Sequence, residues 1–209
     1  MRRFLNRRNV IGGVLIGVGL VLTVVYGVRS VQSYRQVQYA REQGLDDGTA
    51  GVEAIRPWMT MQYVSVAYGV PIEYLFAELD IPVERRNVNE TVGEINRIYD
   101  FGVSVGEGTT DAPPELPIEP LMREAIEAYQ ANPVATGLRD VRPWMTIRYI
   151  ANSTGVPEEY ILAQLGITDE DNHLFLPLNE LAEEMRYEGG PRRLGDDLTE
   201  ILTAYEGGE

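Results

Sequence analysis

Two stretches of this chain decide its fold, because they are close to being the same stretch. Residues 55–81 read IRPWMTMQYVSVAYGVPIEYLFAELDI, and residues 141–167 read VRPWMTIRYIANSTGVPEEYILAQLGI. Aligned without a gap, the two share 14 identical residues, and most of the remaining differences exchange one aliphatic or polar residue for another. A repeat of this length indicates one supersecondary unit used twice. The sequence therefore predicts a duplicated architecture.

Each copy carries the signals of two short helices joined by a tight turn. In the second copy, the hydroxyl of Thr146 can accept a hydrogen bond from the first turn of a helix, as an N-cap does. Gly155 can end that helix in a left-handed conformation, and Pro157 can open the next one. The sequence therefore predicts a helix–turn–helix in each copy. The matching residues of the first copy are Thr60, Gly69 and Pro71.

The duplication continues more weakly beyond the helix–turn–helix. Residues 92–95 (VGEI) match residues 178–181 (LNEL), and each of these segments predicts the start of a further short helix. Residues 122–129 (MREAIEAY) match residues 198–205 (LTEILTAY). Each full unit is therefore predicted to contain about four helices. The long segment 102–120, rich in Gly, Thr and Pro, interrupts only the first unit and is expected to be mobile or a contact surface.

Residues 10–28 (VIGGVLIGVGLVLTVVYGV) contain no charge, and their length approaches what a helix needs to cross a bilayer. We interpret them as an uncleaved signal anchor, because the stretch is long for a signal peptide and no cleavage pattern follows it. The excess of Arg before the span favours the N-terminus inside and the remaining chain outside a bacterial cell membrane. Gly13 and Gly17 could bring two such helices together in a homo-oligomer, although this spacing also occurs by chance.

Composition excludes several classes of function. The chain has no Cys and no Lys, so it has no disulfide and no thiolate metal site. Residues 1–42 carry seven Arg and one Glu, a net charge of +6; residues 43–209 carry eleven Arg against 31 Asp and Glu, a net charge of −20. A polyanion would be repelled by the second part. We therefore expect no nucleic-acid partner, even though the predicted motif is a helix–turn–helix.

The predicted organisation is an all-α, single-pass membrane protein in which a duplicated helical domain follows the anchor. Residues 43–51 (QGLDDGTAG) are expected to be a flexible connector. The predicted parts are a basic N-terminal tail (1–9), a transmembrane helix (10–28), a juxtamembrane helix and linker (29–51), a first helical repeat unit (52–132) and a second (138–206).

The pattern Met-Thr-x-x-Tyr-Ile-Ala-x-x-x-Gly-Val-Pro-x-x-x-Ile-Leu-x-x-Leu-Gly-Ile at residues 145–167 resembles small helix–turn–helix modules of uncharacterised bacterial membrane proteins. Those modules often occur in tandem and beside membrane electron-transfer subunits, and no activity is established for them. The same stretch is similar to the helical part of LysM modules, which would imply glycan binding. The Gly-Asp that precedes the Thr in LysM modules is Trp58-Met59 and Trp144-Met145 here.

Four residues are candidates for a contact surface: Arg56, Trp58, Arg142 and Trp144. Each Trp is held by a preceding Pro beside an Arg, and rigid aromatic and cationic side chains of this kind dominate many interfaces. The alternative is that each Trp covers the core at the entrance of its module and each Arg pairs with a nearby acid such as Glu73 or Glu159.

No other pattern indicates chemistry. His173 is the single histidine and is expected in a surface loop rather than in a metal site. No Ser or Thr has a plausible base in sequence, and no Gly-rich phosphate loop is present, so we expect no enzyme activity and no cofactor. The expected function is a membrane-anchored protein–protein interaction module, as an accessory or scaffold subunit of a membrane complex. The alternatives are LysM-like binding of cell-wall glycan and a regulator facing the cytoplasm.

Overall fold

The computed structural model describes residues 18, 19, 21–23, 34–104, 115–168 and 172–206. Helices joined by turns and loops make up these described segments, which contain no strand beyond one isolated bridge between Thr60 and Thr91. The predicted all-α class is therefore confirmed for this part of the chain. Residues 43–209 form one compact unit and residues 1–42 another; in the latter, residues 34–42 are helical.

The larger unit is built from short helices followed, in each half, by a longer one. Two single turns of 3-10 helix, Val52–Ala54 and His173–Phe175, precede helices of the first and second half respectively. The α-helices are α1 (Met61–Ala67), α2 (Ile72–Glu78), α3 (Arg85–Asn89), α4 (Val92–Ile98), α5 (Ile118–Ala131), α6 (Ile147–Thr154), α7 (Glu158–Leu165), α8 (Leu178–Glu184) and α9 (Gly190–Glu206).

The predicted membrane span lies almost entirely outside the described residues. Of residues 10–28, only 18, 19 and 21–23 are described, and these are helical. Within the described segments, no helix combines the length and the apolar character that crossing a bilayer requires. The proposed helix contact through Gly13 and Gly17 also falls on residues that are not described.

The predicted N-caps are confirmed. Thr60 and Thr146 both adopt an extended backbone, and each hydroxyl accepts a hydrogen bond at 3.1 Å from the backbone N–H three residues later. An N-cap of this kind typically stabilises a helix by about 1 kcal/mol. Gly155 ends α6 with a φ of 77°, the left-handed conformation that only glycine adopts without strain. Pro157 lies immediately before α7, as predicted.

The same contacts recur in the two halves, which we call the first copy (52–132) and the second copy (138–206). The N–H of Val92 donates to the carbonyl of Met59 at 2.8 Å, and this bond joins the start of α4 to the entrance of α1. The rings of Tyr74 and Tyr129 lie 5.0 Å apart and join α2 to α5. The second copy has these counterparts: Leu178 to Met145 at 2.8 Å, and Tyr160 with Tyr205 at 5.0 Å.

Each copy encloses a core of aliphatic, aromatic and Met side chains, because its short helices bury one face each. In the first copy, fully buried residues come from the entrance segment and from α1, α2, α4 and α5. They include Met59, Met61, Val64, Leu75, Phe76, Ile95, Met122 and Ile126. In the second copy, they include Ile147, Ile150, Ile161, Leu181, Leu194 and Leu198.

The connector at residues 43–51 is folded, which corrects the expectation of a flexible linker. The carbonyl of Gly44 accepts hydrogen bonds from the backbone N–H groups of Thr49 and Ala50, both at 3.1 Å. Leu45 is buried, and the Cα of Gly48 approaches the ring of Phe175 so closely that no Cβ would fit. Composition alone could not predict this, because Phe175 is distant in sequence.

Candidate functional site

The two copies pack together through α6, which lies against the turn between α1 and α2. The side-chain amide of Asn152 donates to the carbonyl of Gly69 at 2.5 Å, and the hydroxyl of Tyr129 donates to the carbonyl of Asn152 at 3.2 Å. The N–H of Ile72, at the first position of α2, donates to the hydroxyl of Tyr149 at 3.4 Å. These bonds satisfy polar groups that would otherwise be buried without partners, so they fix how the copies are placed.

A cleft of about 610 Å³ lies between the copies. This volume is in the range of ligand-binding pockets. One wall comes from the folded connector and α1, and the other from the segments that precede α6 and α8 and from α8 itself. The lining residues are Leu45, Asp46, Thr60, Gln62, Tyr63, Val66, Ala67, Trp144, Phe175, Leu176, Pro177 and Glu180.

Packing holds the aromatic side chains of the cleft in place. The ring of Trp144 meets the ring of Tyr149 edge-on, with centroids 5.4 Å apart and planes at 63°. The guanidinium of Arg148 lies 4.3 Å from the centre of the Phe175 ring and also pairs with Glu158 at 2.9 Å. A cation over an aromatic face stabilises this placement by about 0.5–1 kcal/mol. Such fixed aromatic surfaces lose little conformational entropy when a ligand binds.

Tyr63 brings an unsatisfied polar group to the cleft. Its hydroxyl is buried and has no hydrogen-bond partner among the described residues. Burial, with a smaller contribution from Asp46, raises the pKa of Tyr63 to about 12, so the hydroxyl stays protonated at neutral pH. Tyr149 is the equivalent residue of the second copy, and its hydroxyl accepts the Ile72 N–H.

The cleft is acidic as well as apolar. Asp46 and Glu180 contribute carboxylates to its lining, which contains no Arg. Both residues are exposed, so their charges face the solvent at the opening. The arrangement suits a ligand that has an apolar part for the aromatic walls and a cationic group for the carboxylates. No arrangement for nucleophilic or acid–base chemistry is formed by these lining residues.

The structure separates the four residues predicted as a contact surface. Of the four, only Trp144 lines the cleft. The ring of Trp58 lies next to that of Tyr63, with the ring centroids 6.3 Å apart. Arg142 is exposed and pairs with Asp140 at 2.8 Å instead of Glu159. Arg56 donates to the carbonyls of Glu53 and Ile55, both at 2.7 Å. Packing at the entrance of each module therefore accounts for part of the pattern.

His173 is buried, so its predicted place in a surface loop is wrong. Its Nδ1 lies 2.6 Å from the carbonyl oxygen of Thr168, and it begins a single turn of 3-10 helix whose Phe175 lines the cleft. The imidazole thus links Thr168 to the 3-10 turn that carries the cleft residue Phe175. The described residues include no group of three or more acidic or His side chains that could hold a metal ion; residues 169–171, beside this histidine, are not described.

Sequence analysis did not find Tyr63, Phe175 or Glu180. One signal was available for Tyr63, because the tyrosine at this position is identical in the two copies while its neighbours differ. Nothing local distinguishes Phe175 or Glu180, because both reach the cleft only through the packing of the copies. Comparison of the chain with models of protein families, with curated proteins and with solved structures finds no match.

Proposed function

We propose that this chain is a membrane-anchored, non-catalytic interaction module whose cleft holds a segment of a partner protein. The observation that carries the proposal is the cleft itself: fixed aromatic walls and two carboxylates that make no ion pair within the described part of the chain. The partner's segment would place an aliphatic or aromatic side chain between the walls and an adjacent Arg or Lys at the rim. Buried aromatic contacts would supply most of the affinity, and the charges would supply specificity.

The charge of the domain supports a basic partner. Residues 43–209 carry a net charge of −20, so a cationic segment would be attracted from a distance and then oriented at the cleft. The apolar span predicted at residues 10–28 would tether the domain to the membrane, with the N-terminus inside. The resemblance to tandem modules of bacterial membrane proteins favours an accessory or scaffold subunit of a membrane complex.

Peptide binding to the full chain, kept in solution with a nonionic detergent, tests the cleft. The probe is a fluorescent, capped peptide of sequence Arg-Leu-Arg-Phe-Arg, and the control peptide replaces Leu and Phe with Ser. Trp144→Ala should weaken binding of the first peptide by about tenfold or more, as loss of a central aromatic contact does. Trp58→Ala removes the equivalent Trp of the first copy, which neighbours Tyr63 but does not itself line the cleft, and should change affinity less than about twofold.

A second matched pair tests the role of charge. Glu180→Gln should weaken binding by about threefold, as expected for one exposed ion pair, whereas Glu184→Gln on the same helix should leave it unchanged. Equal losses in the two Trp variants, or equal binding of the Ser peptide, would show that the acidic surface binds cations without using the cleft. Retention of the full chain on insoluble peptidoglycan, lost in Trp144→Ala, would instead assign the cleft to a glycan.

Membrane topology needs its own experiment. An epitope at Glu209 is probed with protease on cells whose outer barrier is opened, and again after lysis. Digestion before lysis supports the proposed orientation, with the acidic domain outside. Digestion only after lysis would place the domain in the cytoplasm and favour a regulator over a subunit with extracytoplasmic partners.

A further inference from the structure

A second cavity, of about 880 Å³, lies in the second copy and differs from the cleft in charge. It runs between α9, along which the lining extends from Pro191 to Thr203, and the segment that precedes α6. The side chains that matter for its chemistry are Arg139, Arg142, Arg192, Leu138, Val141 and Leu202. We call it the arginine groove.

Two guanidinium groups of the arginine groove lack ion pairs. Arg142 is neutralised by Asp140 at 2.8 Å, but Arg139 and Arg192 have no carboxylate within 4.0 Å among the described residues. Both side chains are exposed. Arg85 and Arg186 also form no ion pair within the described part of the chain, so the groove is distinguished by two unpaired Arg residues at one cavity. By contrast, several other Arg residues of this unit are paired: Arg86, Arg97, Arg123, Arg148 and Arg193.

The backbone adds to this positive character. Helix α9 has 17 residues, and Pro191 and Arg192 of its first turn line the groove. The N-terminal end of a long helix carries a partial positive charge, which attracts anions. Besides Asp140, which pairs with Arg142, one opposing carboxylate lines the groove, that of Asp196. The two unpaired guanidinium groups and the helix end outweigh it.

The rest of the lining is apolar. Val141 and Leu202 pack on the core of the second copy with part of each side chain still accessible, and Leu138 does the same. A bare phosphate or sulfate would leave these surfaces unused and would fill little of the volume. A ligand that combines carboxylates with aliphatic side chains would use both parts of the groove.

From these observations we propose that the arginine groove binds an acidic peptide segment of a partner, with carboxylates on Arg139 and Arg192 and an aliphatic side chain on Val141 and Leu202. Planar guanidinium groups match carboxylates with paired hydrogen bonds. This site is independent of the cleft proposed above, because it lies within one copy and takes a ligand of opposite charge. The domain would thus bind a basic segment at the cleft and an acidic segment at the arginine groove.

The test uses the full chain in a nonionic detergent and a fluorescent, capped peptide of sequence Glu-Leu-Glu-Leu-Glu. Arg139→Gln and Arg192→Gln should each weaken binding by about threefold, and the double variant by about tenfold. The matched control is Arg193→Gln, because Arg193 neighbours Arg192, is also exposed and is already paired with Asp197 at 2.9 Å. It should leave the affinity unchanged.

The outcomes separate a built site from general attraction. Binding that falls in the double variant, survives in Arg193→Gln and is absent for the peptide with Gln in place of Glu would support the groove. Equal losses in Arg192→Gln and Arg193→Gln, equal binding of the Gln peptide, or no binding of the Glu peptide would overturn it. The three Arg side chains are exposed, so the variants should keep the far-ultraviolet circular dichroism of the parent chain.

Discussion

Replacing the equivalent tyrosines of the two copies with phenylalanine should change stability in opposite directions. Tyr63 and Tyr149 occupy the same position of the repeat, and Phe removes only the hydroxyl of each. The hydroxyl of Tyr63 is buried without a partner, whereas that of Tyr149 accepts the N–H of Ile72 at 3.4 Å. Tyr63→Phe therefore removes an unsatisfied group, and Tyr149→Phe creates one.

The magnitude follows from the cost of leaving a buried polar group without a partner, about 1–3 kcal/mol. Ile72 is only 5% exposed, so water cannot replace the Tyr149 hydroxyl easily. The bond is long, which places the loss for Tyr149→Phe near the lower end, at about 1 kcal/mol. Tyr63→Phe should raise the free energy of unfolding by about the same amount. The two variants should thus differ by about 2 kcal/mol.

Urea denaturation of the full chain, followed by circular dichroism at neutral pH, measures both values. The dependence on urea should have the same slope in both variants, so that a shift in midpoint reports stability alone. Tyr34→Phe provides a control, because Tyr34 is 70% exposed and its substitution should be neutral. A Tyr63→Phe variant that loses as much stability as Tyr149→Phe would refute the reasoning, since it would mean that the Tyr63 hydroxyl already makes a favourable bond.

Two further predictions concern pH and backbone conformation. Burial raises the pKa of Tyr63 and of Tyr129 to about 12, against 10.0 for an ordinary tyrosine, so the unfolded chain loses these protons first. These two tyrosines should therefore leave stability unchanged below pH 10 and lower it between pH 10 and 12, by up to about 1.4 kcal/mol per pH unit for each tyrosine. Urea midpoints measured across this range should fall less steeply in Tyr63→Phe than in the parent chain. Gly48→Ala should lower stability by more than about 2 kcal/mol, because φ is 70° and the new Cβ would lie 1.8 Å from a ring carbon of Phe175. Gly137 has a φ of 83° but no atom within 4 Å of a new Cβ, so Gly137→Ala should lower the free energy of unfolding by only about 1 kcal/mol, through backbone strain, in the same urea assay. Equal losses of stability in the two Gly variants would show that the Phe175 contact is absent.

Sequence reasoning succeeded where the physics is local. The hydroxyl of Thr146 caps a helix three residues away, and Gly155 ends the same helix through its own φ, so neither outcome depends on distant residues. The all-α class followed from such signals, repeated in both copies. The membrane span and the boundaries of the repeat units remain predictions.

Sequence reasoning failed where long-range packing decides. The connector that holds Gly48 has the composition of a flexible linker, but it folds because Phe175 packs on that glycine. His173 has the acidic neighbours of a surface loop, but it is buried because its ring reaches the carbonyl of Thr168. Of the four predicted contact residues, only Trp144 lines the cleft, because a repeat gives both tryptophans the same sequence signal and only packing distinguishes them.

The cleft can be understood as a consequence of duplication followed by asymmetric packing. Two copies of one module have similar surfaces. When α6 of the second copy covers the turn between α1 and α2 of the first, the α6 surface is buried in one copy and the turn surface in the other. Gly69 and Pro71 of the first copy are buried, whereas Gly155 and Pro157 of the second are exposed. In the same way Tyr149 finds a partner in Ile72, and Tyr63 finds none. A hydroxyl that stabilises the domain in one copy therefore has no hydrogen-bond partner, among the described residues, in the other. Loss of the Tyr149 hydroxyl should therefore destabilise the fold and loss of the Tyr63 hydroxyl should stabilise it, although the two residues are equivalent in sequence.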